Sequence, residues 1–157
     1  MLPHPSGSRS MTKLRVKTDS IFLDPQIFLP LLDKELARAE RYNQYVSILL
    51  LKLEGVSGRE QSFWLERLAQ VLADKVRKSD CFGGFEEGTL GVILICASAE
   101  NARIALERLR AEALLCLSGG PQGITLKTSY AVFPSEATSL DSLCDLATER
   151  LLKEHHA

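Results

Sequence analysis

The chain has little with which to hold a metal or a disulfide. Its 4 cysteines, Cys81, Cys96, Cys116 and Cys144, are widely separated with no CxxC pair, and none of its 3 histidines is placed to complete a zinc site. Four reduced and mostly buried thiols are expected, which suits a cytoplasmic location. No apolar stretch approaches the roughly 18 residues of a membrane span. The basic N-terminus, MLPHPSGSRSMTKLRVK, lacks the apolar core of a secretory signal. Direct membrane insertion is therefore not expected. A formal charge of -1 offers no general attraction for DNA or RNA. What remains is the composition of a soluble globular protein, 45% apolar and 25% charged, in 157 residues that suffice for one self-contained core. No internal repeat is present.

Residues 1–17, rich in Pro, Ser, Gly and Arg, are expected to form a disordered tail or linker, with one domain over 18–157. Asp24-Pro25 opens a first helix, since Asp accepts from free amides and Pro needs no donor there. Phe28, Leu32, Leu36 and Ala39 follow at helical spacing, with Pro30 expected to distort the first turns. Val46 to Glu54 begins with a continuous apolar run, the pattern of a buried strand, and Gly55 ends it. Ser57 and Glu60 fit a capping box for a second helix, which is expected to carry Trp64, Leu65, Leu68, Val71, Leu72 and Val76 inward and to close at Arg77. Lys75, Arg77 and Lys78 would then suit the negative end of its dipole.

The stretch VRKSDCFGGFEEGTLGVILIC, Val76 to Cys96, organises the middle of the chain. Glu86-Glu87-Gly88 reads as a tight turn between a first arm at Asp80-Cys81-Phe82 and a buried strand through Val92–Ile95. Ser98 caps a third helix, Ile124 to Phe133 alternates as a strand, and Thr138 to Asp141 cap a last helix. The order contains β-α-β-β-α-β. It predicts an α+β fold with a ferredoxin-like core: a mainly antiparallel sheet with helices on one or both faces.

Several strings at consistent spacing resemble a GGDEF domain, the bacterial module that in active members makes cyclic di-GMP from two GTP. They are FLPLLDKELARAERY, VSILLLKLEG, RKSD before the hairpin, GVILI, ALERLR, TSYAVFP and LCDLATERLLK, and they cover about Asp19 to the C-terminus. The signature itself is altered. Ungapped counting from Asp80 and from GVILI puts EEGTL, Glu86 to Leu90, where GGDEF would stand. Gly83-Gly84-Phe85-Glu86-Glu87 would need compensating gaps and would place Phe85 third. On this resemblance the glycines that admit a nucleotide become Glu86 and Glu87, and the catalytic carboxylates become Gly88 and Thr89. The metal-binding Asp becomes Lys52, a cation that would repel magnesium. The segment before the second helix is shorter than usual. It lacks the guanine-reading Asn and Asp, with Ser62 near the latter, and His155 falls where a phosphate-serving Lys is usual. The resemblance thus implies a domain that is not an enzyme, with no catalytic residues, no metal and no cofactor.

Other positions are kept. Many family members carry an inhibitory RxxD site, and Arg77 and Asp80 occupy it here, with Arg108 where a further Arg often completes it. Arg can bond guanine O6 and N7 together and stack on a base, while Asp can accept from guanine N1 and N2. The alternative for Arg77 and Asp80 is a surface ion pair worth roughly 0.2 to 0.5 kcal/mol. Glu54, Glu86 and Glu87 read as solvated charges, Phe63 and Trp64 as packing residues, and His155-His156 as a frayed end. The expectation is a cyclic di-GMP receptor that relays to a protein partner, with a homodimer allowed. The runner-up is a ligand-independent interaction or dimerisation module, and residual cyclase activity ranks below both.

Overall fold

The structure, a computed structural model, describes residues 22–154. The expected tail over 1–17, the domain start at 18, and His155 with His156 lie outside the described residues. The elements follow the expected order: α1 (Pro25–Tyr42), β1 (Val46–Glu54), α2 (Gly58–Ala73), β2 (Cys81–Glu86), β3 (Thr89–Ile95), α3 (Ala99–Leu117), β4 (Thr125–Phe133) and α4 (Leu140–Lys153). The sheet runs β2-β3-β1-β4 with every neighbouring pair antiparallel. This is the ferredoxin-like arrangement.

Helices cover both faces, which explains why β1 is an apolar run and not an alternating one. Leu49, Leu51 and Leu53 meet Leu65, Leu68 and Leu72 of α2 and Leu106 and Leu109 of α3. Val46, Ile48 and Leu50 meet Phe28, Leu32 and Leu36 of α1 and Leu143, Ala147 and Leu151 of α4. Asp24 caps α1 through its side chain, accepting from Gln26 N at 3.3 Å, and the helix continues through Pro30. Ser139 and Ser142 form a reciprocal capping box on α4. No helix among the described residues is long and apolar enough to cross a membrane.

Three local expectations fail. Ser98 is the N-cap of α3, but its side chain makes no cap bond. Ser57 is the N-cap of α2, and its side chain makes no cap bond either. Gly58 follows it at a φ of 58°, so the first turn departs from the geometry in which a serine oxygen reaches back to the third amide. The second helix also ends at Ala73, well before Arg77. The chain leaves it to pack Val76 against the core, and Arg77 to Asp80 form a separate turn closed by Asp80 N to Arg77 O at 3.0 Å. Lys75, Arg77 and Lys78 therefore lie beyond the last helical turn and do not complement its dipole in the expected way.

Both sheet edges are covered. On the β2 edge, Leu23 N donates to Phe82 O at 2.9 Å and Gly84 N donates to Leu23 O at 2.8 Å. On the β4 edge, Thr128 N donates to Glu154, Val132 N donates to Glu136 at 3.1 Å, and Arg150 donates to Tyr130 O at 2.9 Å. Such covering removes the free backbone ladder that invites further strands.

Candidate functional site

The β2–β3 hairpin has two ends, and the residues singled out from the sequence divide between them. At the open end, Arg77, Asp80 and Arg108 line a single cavity of about 530 Å³, together with Lys75, Leu94 to Ala97, Asn101, Ile104 and Ala105. Asp80 stands just before β2 and Arg108 lies on α3, so the sheet and one helix hold the cavity from two sides.

The three side chains are used differently. Asp80 has a side chain only 2% exposed, with Oδ1 accepting from Ile95 N at 3.1 Å and Oδ2 accepting from Arg77 Nε at 3.2 Å. It ties the start of β2 to the end of β3. The expectation that this carboxylate faces a guanine as an open acceptor does not fit these bonds, because both oxygens already serve protein donors and water hardly reaches them. Arg77, by contrast, is 64% exposed, and its Nη1 and Nη2 amines have no protein partner among the described residues. Arg108 is exposed and donates Nη2 to the Lys75 carbonyl at 3.1 Å, which anchors it while leaving the rest of its guanidinium open. The surface ion pair weighed from the sequence is thus half buried: the carboxylate is inside and the guanidinium outside.

Four other lining residues carried no signal in the sequence. Cys96 is exposed and holds a left-handed φ of 61°, with its N–H donating to Tyr45 O at 2.8 Å. Asn101, Ile104 and Ala105 belong to the first two turns of α3, where helical spacing alone does not tell a cavity wall from a solvated face.

At the closed end, about 20 Å away by the rise of β3, the turn falls at Glu87 and Gly88, with Gly88 at a φ of 77°. Glu86 to Leu90 therefore do form the hairpin tip. Gly83 and Gly84 lie inside β2 and meet other needs. A Cβ on Gly83 would stand 2.4 Å from the Leu23 carbonyl oxygen, and one on Gly84 would stand 3.1 Å from Pro25 Cγ. Lys52 of β1 is the register partner of Thr89. Its ammonium lies 3.8 Å from Glu54, which also takes Lys127 of β4 at 3.6 Å, so a carboxylate between two ammonium groups occupies this end of β1. The Thr89 hydroxyl is buried with no hydrogen-bond partner among the described residues. Among the described residues no three His, Cys, Asp or Glu side chains gather as a metal cage.

The thiols are less buried than expected: Cys81, Cys116 and Cys144 are half-buried and Cys96 is exposed. Burial pushes Cys144 up to about 11, with Asp145, Asp141 and Glu86 adding to the effect. Burial also raises Cys81, helped by Glu35 and Asp80, and raises Cys116 against a smaller opposing effect of Arg67. All four cysteines are free.

No family model matches the chain. No curated protein matches it either. Solved structures do. A DGC protein from Thermotoga maritima is 24% identical over 82% of this chain and 99% of its own, with a TM-score of 0.69. The GGDEF domain of DgcB from Caulobacter crescentus, solved in complex with c-di-GMP, is 17% identical over 87% of each chain, also with a TM-score of 0.69. The diguanylate cyclase SiaD from Pseudomonas aeruginosa, solved with its activator SiaC, is 15% identical over 92% of this chain and 60% of its own, with a TM-score of 0.70. The chain has the GGDEF-domain fold.

Proposed function

We propose that this chain is a catalytically silent domain of GGDEF fold that receives cyclic di-GMP in the cavity of Arg77, Asp80 and Arg108 and relays the event to a protein partner. The observation that carries this reading is the convergence of the three residues on one cavity with two guanidinium groups open to it. The terminal pair of Arg77 amines can bond a guanine edge or a phosphate in bidentate fashion. In this reading Asp80 is a positioning residue: it holds Arg77 by Nε and leaves Nη1 and Nη2 directed outward. The cavity volume is within the range of ligand sites, about 300 to 1,000 Å³. A neighbour of the same fold was solved with c-di-GMP and another with a protein activator, which makes both kinds of partner reasonable for this scaffold.

The silence of the closed end is supported by its residues. Glu86 and Glu87 at the tip carry charge of the same sign as a triphosphate, and an ammonium at Lys52 opposes a divalent cation beside Thr89. Calorimetric titration of the purified domain with cyclic di-GMP tests the receptor reading. Saturable heat is expected, weakened about tenfold or more in Arg77→Ala, which corresponds to at least about 1.4 kcal/mol. No heat at micromolar ligand would leave a ligand-independent interaction module as the account of this fold. Incubation with GTP and magnesium, followed by chromatography, is expected to give no dinucleotide.

A further inference from the structure

A second concavity lies between the hairpin tip and the start of α2 and shares no lining residue with the cavity of Arg77. It is about 960 Å³, and its walls include Pro25, Arg59, Phe63, Glu66, Glu86 and Glu87. We propose that this groove docks a basic segment of a partner protein, an arginine flanked by an apolar side chain.

Charge selects the occupant. Three carboxylates line the groove against one guanidinium, and Glu66, Glu86 and Glu87 make no ion pair among the described residues. Carboxylates in a cleft with low-dielectric walls focus a negative potential that concentrates cations and repels phosphate. A metal ion is disfavoured, because no three of these groups converge on one point among the described residues. A guanidinium presents five donors across a flat fork and so can serve carboxylates that are spread apart. The apolar half comes from Pro25 and from Phe63, whose ring is 54% exposed. Arg67 and Trp64 hold that ring, at 5.9 Å from its centroid and 5.3 Å between centroids respectively.

The walls are also fixed in place. Gly88 O accepts from Leu53 N at 2.9 Å, and a Cβ on Gly88 would come within 2.9 Å of the Gln61 amide nitrogen, so tip and helix are already in close packing. A preformed groove loses little ordering entropy when a short segment enters. The inference names the chemistry of the relay partner and rests on the receptor reading only for what the docking transmits. Docking itself requires no nucleotide.

A peptide with fluorescein on its N-terminus, fluoresceinyl-Leu-Arg-Ala-Leu-Arg-amide, is the probe, read by fluorescence anisotropy against the whole domain. Saturable binding is expected, weaker by about tenfold in the Glu86→Gln, Glu87→Gln double variant and weaker again at high salt. Both side chains are exposed, so the variant should keep its circular dichroism spectrum. Arg77→Ala is expected to bind the peptide as the wild type does, which separates this test from failure of the nucleotide site. Equal affinity for a peptide with Glu in place of each Arg would overturn the proposal. So would indifference to the double variant, or displacement of the peptide by GTP with magnesium, which would make a nucleotide the occupant.

Discussion

The two ends of one hairpin have been treated in opposite ways. At the open end a buried carboxylate, Asp80, is spent on the scaffold and leaves two guanidinium groups facing solvent. At the closed end two ammonium groups, Lys52 and Lys127, are spent on Glu54, and the groups left facing solvent are the carboxylates of Glu86 and Glu87. The hairpin thus has exposed cations beside one end and exposed anions at the other. A residue type does not disclose its use; what its partners leave exposed does.

The sharpest way to break this comparison is to treat Gly83 as a nucleotide glycine. Gly83→Val should instead unseat Leu23 from the β2 edge and cost about 3 kcal/mol, at the upper end for overpacking, seen as a lower denaturation midpoint. Unchanged stability would mean that the edge contact is unimportant. Next in size is the asymmetry within the RxxD pair. Asp80→Ala should cost about 2 kcal/mol, because Ile95 N loses its acceptor inside the fold. Arg77→Ala should cost under about 1 kcal/mol, since its guanidinium is mostly in water. Urea titration of both variants checks the order, and the reverse order would make Arg77 the scaffold residue.

The closed end should tolerate change better. Lys52→Met removes an ion pair 3.8 Å long at a partly exposed site and should shift stability by less than about 1 kcal/mol. At neutral pH the raised thiols have a smaller effect still, and theirs emerges only in alkali. Cys144 stays protonated in the fold up to about 11 while the unfolded chain releases its proton near the ordinary value of 9.0. The unfolded state then binds fewer protons across that window, so this contribution to stability is full below it and is lost as pH rises through it. Thermal scans between these limits, with Cys144→Ala as the reference, should show the variant losing less stability than the wild type. Timed alkylation with iodoacetamide at neutral pH should label exposed Cys96 before Cys144.

Much of the fold was legible because its signals are local. The apolar run of β1 marked a strand covered on both faces, Asp24-Pro25 marked the start of α1, and Gly88 marked the turn that places Glu86 to Leu90 at the tip. What the sequence withheld depends on residues far apart in it. Gly83 and Gly84 read only as a shifted candidate for the signature glycines until Leu23 and Pro25, some sixty positions earlier, are laid against them. Asp80 looks like a free acceptor until β3 returns Ile95 to it. The early end of α2 follows from burial of Val76, which helical periodicity cannot tell from one more inward residue of the same helix.

The most direct measurement follows backbone amide resonances during separate titrations with cyclic di-GMP and with GTP plus magnesium. The account predicts that cyclic di-GMP shifts Ile95 and Cys96 saturably and leaves Glu87 and Gly88 in place, while GTP moves neither pair. Saturable shifts of Gly88 with GTP, or an unmoved Ile95 at millimolar cyclic di-GMP, would contradict it.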